Sequence, residues 1–174
     1  MPKTPQKRAP DGKWEMPANN LCERLGQFVM AWSLIEATIE IGIGEQLGTA
    51  PLETSIVTAG LMFKARSSIL LGLLNRRPDK NAEAISLLKE LRNLEDRNDF
   101  MHSIIGGNSS LLWFNRRKMN EKFASKIERY SLIRMNSALL HCTDLSVKLG
   151  KALGITKEGY EKFFQDSHNA ANNL

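Results

Sequence analysis

The stretch LEDRNDFMHS, residues 94–103, settles on paper whether this chain is built from a few long helices, because a helix must either run through it or stop at it. Upstream, Ala84, Leu87, Leu91 and Leu94 recur at spacings of 3 and 4, and Met101 and Ile105 extend the series. Apolar residues at that spacing define one face of an α-helix. The period predicts a third main helix that begins near Asn81 and carries the whole stretch. On a wheel of about 100° per residue with Asn98 at zero, Leu91 lies about 20° to one side. Leu94 and Met101 lie about 40° and 60° to the other, and His102 is about 40° away. An asparagine and a histidine therefore interrupt an apolar stripe, with Arg97 at its flank. A buried amide left without partners costs about 1–3 kcal/mol, so Asn98 requires either company or access to solvent.

Working outward, the same period appears in the first third of the chain. Leu21, Leu25, Phe28, Trp32, Ile35 and Ile39 alternate at 4 and 3, and Asn20 with Glu23 has the form of a capping box. This is a long amphipathic helix ending near Gly42, Gly44 or Gly48. Its Glu36 falls between Trp32 and Ile39, at the edge of the apolar stripe, and is a candidate partner for the polar residues of the third helix. The second helical segment, LMFKARSSILLGLLNRR, stops at Pro78, since proline disfavours helix in the residue before it. After the third helix, GGNSSLLWFNRRK reads as a loop or a short β-hairpin. A fourth helix is expected over Asn120 to Lys148, with Phe123, Ile127, Tyr130 and Ile133 in register, and a short fifth over TKEGYEKFFQDS. The fold class is all-α, a bundle of four or five helices.

The organisation follows from composition. Four of the six prolines and four basic residues fall before residue 18 without helical period, which reads as a flexible basic tail over 1–18. One helical domain occupies 19–165, and 166–174 reads as a polar tail. Hydrophobic residues at 42% and charged residues at 25% are ordinary for a globular domain and argue against disorder or a fibrous class. No apolar run approaches the roughly 20 residues that span a bilayer, and the basic start lacks the apolar core of a signal peptide. The expectation is a cytoplasmic protein with no membrane partner, whose Cys22 and Cys142 remain reduced as small core residues.

The chemical signals outside the third helix are weak. Three histidines, His102, His141 and His168, show no ligand spacing with cysteine or acidic residues, so neither a metal site nor a cofactor is expected. His141 and Cys142 are adjacent on a helix and point about 100° apart, the wrong geometry for a nucleophilic pair. GIGEQLG lacks the preceding strand of a dinucleotide fingerprint. Lys64 and Arg66 either touch phosphate or lie in water. Between residues 97 and 134 there are eight basic and three acidic residues, a surplus of five that equals the net charge of the chain. Arg116, Arg117 and Lys118 concentrate it, with Trp113 and Phe114 beside them as candidates for base stacking on RNA. A solvated helix face and a packed hairpin explain the same residues.

Arg97-Asn98-Asp99-Phe100-Met101-His102 resembles the R-x4-H signature, in its R-N-x-x-x-H form, of the HEPN superfamily (higher eukaryotes and prokaryotes nucleotide-binding). The context is similar as well: the motif ends a predicted long helix, a glycine follows, and AWSLIEATIE upstream looks like the first helix of bacterial HEPN-like families. By helix order the likeness runs over roughly residues 20 to 150, and by motif over six residues. It implies a HEPN-type helical bundle and a metal-independent endoribonuclease of toxin, abortive-infection or CRISPR systems. Other members have lost activity and serve as dimerisation or binding modules for proteins or nucleotides. Under the resemblance, His102 handles the proton of the RNA 2′-hydroxyl or of the leaving oxygen, and Arg97 stabilises phosphate charge. Asn98 orients both, with Glu36 and Asp99 in support. It further implies a homodimer whose two motifs share one cleft, acting on RNA and paired with an antitoxin or other protein. The alternative reading of these residues is a polar network that fixes helix register.

Overall fold

The computed structural model describes residues 19–94, 97, 100, 101, 103–119 and 123–172, with 116–119, 123 and 124 described by backbone alone. The expected tail over 1–18 lies outside the described residues. The long first helix, α1, spans Asn19–Leu47 and ends at Gly48, whose φ of 68° closes the helix in the left-handed conformation glycine tolerates. Gly42 and Gly44 instead lie buried within α1. Asn20 is inside its first turn rather than before it.

Two further helices replace the single segment expected next. Helix α2 (Pro51–Thr58) and helix α3 (Phe63–Leu74) are separated by a turn at Gly60. Pro51 occupies the first position of α2, where its missing N–H costs nothing, and Pro78 likewise starts α4 (Pro78–Arg92). Helix α4 then stops short of the expected length: Asn93 caps it, Leu94 is not helical, and helical backbone returns at Arg97, Phe100 and Met101. The unbroken wheel through residues 84–105 is therefore incorrect. Phe100 is the buried member of the later turn, whereas Met101 is 39% exposed and Ile105 belongs to a strand.

The larger correction follows. Residues 104–131 form a three-stranded antiparallel sheet in the order β1-β2-β3, with β1 Ile104–Gly107, β2 Leu111–Met119 and β3 Phe123–Ser131. The expected fourth helix thus loses its first half to β3. FASKIERYS fits a strand as readily as a helix, and pairing with β2 decides: Leu112 opposes Tyr130 and Phe114 opposes Glu128. Helix α5 (Leu132–Ala152) starts where the strand ends, capped by the Ser131 side chain accepting from the Arg134 amide at 3.4 Å. Helix α6 (Lys157–Ala171) is capped by Thr156 and runs through most of the residues assigned to a polar tail.

The described chain is thus mostly helical with a small antiparallel sheet. Helix α1 packs against α5, α3 and α2, while α6 covers α2 and the sheet joins α5 through β3. Phe28 of α1 meets Phe100 edge-on at 4.5 Å, and Phe100 touches Phe114 and Tyr130 at 4.8 and 4.7 Å. This aromatic cluster ties the turn containing Arg97 to both the helices and the sheet. No helix among the described residues is long and apolar enough to cross a membrane.

Candidate functional site

Arg97 and Phe100 are one helical turn apart and share a face. Phe28, Trp32 and Glu36 repeat every fourth residue on α1 and form the matching row. Phe100 packs on Phe28, and the Arg97 guanidinium carbon lies 5.1 Å from the Trp32 ring centre and 5.3 Å from that of Phe63. Such cation–π contacts favour a guanidinium over an ammonium, because its planar group stacks. The expected partner is present: Arg97 Nη2 is 3.9 Å from Glu36 Oε1. Burial lowers the Arg97 pKa, and the charge of Glu36 opposes that shift.

Glu36 is itself held on two other sides. Trp32 Nε1 donates to Oε1 at 2.9 Å, and Arg66 Nη2 donates to Oε2 at 2.8 Å. Arg66 also approaches Glu40 at 3.8 Å, and Glu40 accepts from Ser55 Oγ at 2.7 Å. The two arginine side chains are 15% and 17% exposed, so each needs the carboxylate it faces. Arg66 is consequently neither a water-exposed residue nor a free phosphate ligand. Sequence reasoning missed Arg66 and Trp32 as members of this network; the only available signal was that Arg66 lies on the same short helix as Phe63.

A cleft of about 330 Å³ opens beside Arg97, between the start of α3 and the end of α4. Lys64, Arg92 and Arg97 line it, with the Asn93 amide and apolar walls from Phe63 and Leu91. None of its described lining residues is acidic. An array of this kind attracts anions, and a phosphate is the commonest biological group that matches forked guanidinium donors.

The remaining predicted site residues divide sharply. Asn98, Asp99 and His102 lie outside the described residues. Arg116, Arg117 and Lys118 are on β2, with their side chains outside the described set. Trp113 is half-buried on the outer sheet face, close enough to Gly106 that a Cβ there would overlap its indole. Phe114 is fully buried in the aromatic cluster, so the expectation that it stacks on bases is incorrect. The surplus of positive charge is also partly consumed: Glu128 pairs with Lys126 at 2.8 Å and with Arg134 at 3.2 Å. The hydrogen bond from Lys126, followed by that from Arg134, lowers the Glu128 pKa.

Cys142 is buried, with its thiol pushed up to about 12 by burial, while its neighbour His141 faces Glu90 at 3.5 Å on the surface. Among the described residues no group of His, Cys, Asp and Glu could hold a metal ion. Compared with family models, curated proteins and solved structures, the chain matches none.

Proposed function

We propose that this protein is a HEPN-type, metal-independent endoribonuclease that acts on single-stranded RNA as a cytoplasmic homodimer, in a toxin–antitoxin or phage-defence setting. The observation that carries the reading is Arg97, a largely buried guanidinium held by Glu36, Trp32 and Phe63 at the edge of a cleft lined by further cations. A catalytic cation needs this kind of preorganisation, since donors fixed before the reaction cost nothing to align during it. In the proposed reaction the RNA 2′-oxygen attacks the adjacent phosphorus as His102 assists its deprotonation. The bond to the 5′-oxygen of the next nucleotide breaks, that oxygen gains a proton, and Arg97 offsets charge on the phosphate. The products are a 2′,3′-cyclic phosphate and a 5′-hydroxyl. Asn98 orients the pair, with Glu36 and Asp99 in support.

A second reading, a catalytically silent HEPN-like module for dimerisation and protein or nucleotide binding, draws support from α5. Ile133, Leu140 and Val147 recur every seventh residue there and are 80%, 70% and 66% exposed. The deciding experiment is cleavage of end-labelled single-stranded RNA by purified protein in EDTA, alongside Arg97→Ala, Arg97→Lys and His102→Ala. Cleavage by the wild type with cyclic phosphate ends, lost in all three variants at unchanged melting temperature, supports the nuclease. Absence of cleavage by the wild type rejects it in favour of the binding module.

A further inference from the structure

We propose that Lys64 and Arg92 form a second phosphate subsite, which seats the backbone phosphate next to the one held at Arg97. This rests on the nuclease reading only for the identity of the ligand as single-stranded RNA. The two residues come from opposite walls: Lys64 from the first turn of α3 and Arg92 from the last turn of α4. Three cations converge on one cleft of about 330 Å³ with no described acidic residue lining it. Their mutual repulsion is unfavourable in an empty cleft and is relieved by a bound anion. Arg97 already faces Glu36 behind the cleft, whereas Lys64 is exposed and Arg92 half-buried, so both remain able to close on a ligand.

The helix start strengthens the assignment. Met62 caps α3 without any side-chain hydrogen bond, and the amides of Ala65 and Arg66 return to the Met62 carbonyl. The amides of Phe63 and Lys64 therefore begin the helix uncapped by a side chain, at the wall of the same cleft. Helix starts of this kind add positive potential to a cleft that side chains have already made cationic. The volume is near the lower end of the roughly 300–1,000 Å³ typical of ligand pockets, suited to one phosphate with its sugar. Phe63 and Leu91 supply the apolar wall for that sugar.

The test uses a fluorescein-labelled RNA blocked by 2′-O-methyl groups, which binds without being cut. Anisotropy across a salt series compares the wild type with Lys64→Gln, Arg92→Gln, their double variant, and Lys151→Gln on α5 as a control. The double variant is expected to bind about tenfold more weakly, and the slope of log affinity against log salt to flatten by roughly 1.4, about 0.7 for each lost phosphate contact. Lys151→Gln should follow the wild type. Unchanged affinity and slope in the double variant overturn the subsite, as does failure of the wild type to bind. Equal competition by poly-glutamate also overturns it, because the site would then select negative charge rather than phosphate. If RNA binding depends on Lys64 and Arg92 while the wild type cuts no RNA, the subsite stands and the nuclease reading falls.

Discussion

Glu36 accepts from Trp32 and Arg66 and faces Arg97, so the charge of one carboxylate serves two nearly buried guanidiniums. Glu36→Gln keeps the shape but removes that charge, and the protein is expected to lose about 1–3 kcal/mol. A urea midpoint unchanged from wild type would show that the network is not coupled to stability. Arg66→Ala is expected to lose a similar amount while retaining RNA cleavage, because Arg66 reaches substrate only through Glu36. Sequence alone made Glu36 and Arg97 partners, because both flank apolar stripes on helices that face each other. It gave no hint of Arg66, since an arginine on a helix looks the same whether it points into water or folds inward over a stem of methylenes.

Single glycines separate close packing from open surface between the elements. A Cβ at Gly44 of α1 would come within 2.7 Å of the Thr54 hydroxyl of α2, whose side chain is buried. Gly44→Ala should therefore destabilise by about 1–3 kcal/mol through overpacking at the α1–α2 contact. At Gly26, also within α1, nothing lies within 4 Å, so Gly26→Ala should stabilise by about 0.5–1 kcal/mol. Thermal melts of the two variants should move in opposite directions, and a shared direction would refute the packing of α2 on α1. Elements with one long, uninterrupted period were legible, as α1 shows. Those whose pattern suits two periods were not: β3 reads as a helix until its pairing with β2 buries Tyr130 and Phe114 on one face.

Global opening can be followed through the two cysteines, one exposed at Cys22 and one buried at Cys142. One thiol should react quickly with a disulfide reagent at neutral pH, and the second only at the rate of unfolding. The raised Cys142 pKa also sets a pH dependence. Folded protein keeps the thiol proton that the unfolded chain releases above its ordinary value of 9.0, up to about 12. Stability is thus independent of this group below pH 9 and falls as pH rises beyond it, by about 1.4 kcal/mol per unit. Measured as the difference between wild type and Cys142→Ala, the slope should appear only above pH 9; a difference constant across that range would contradict the burial.

What the sequence determined by itself is a helical body built on the α1 stripe and a compact motif from Arg97 to His102, because apolar periodicity and residue chemistry are local properties. Only the tertiary structure decided that the third helix breaks after Arg92 and that residues 104–131 pair as a sheet. It alone brought Arg66, Trp32 and Phe63 around Arg97. Strand pairing and the burial of long charged side chains depend on partners far away in the chain, and those partners exist only once the core has formed.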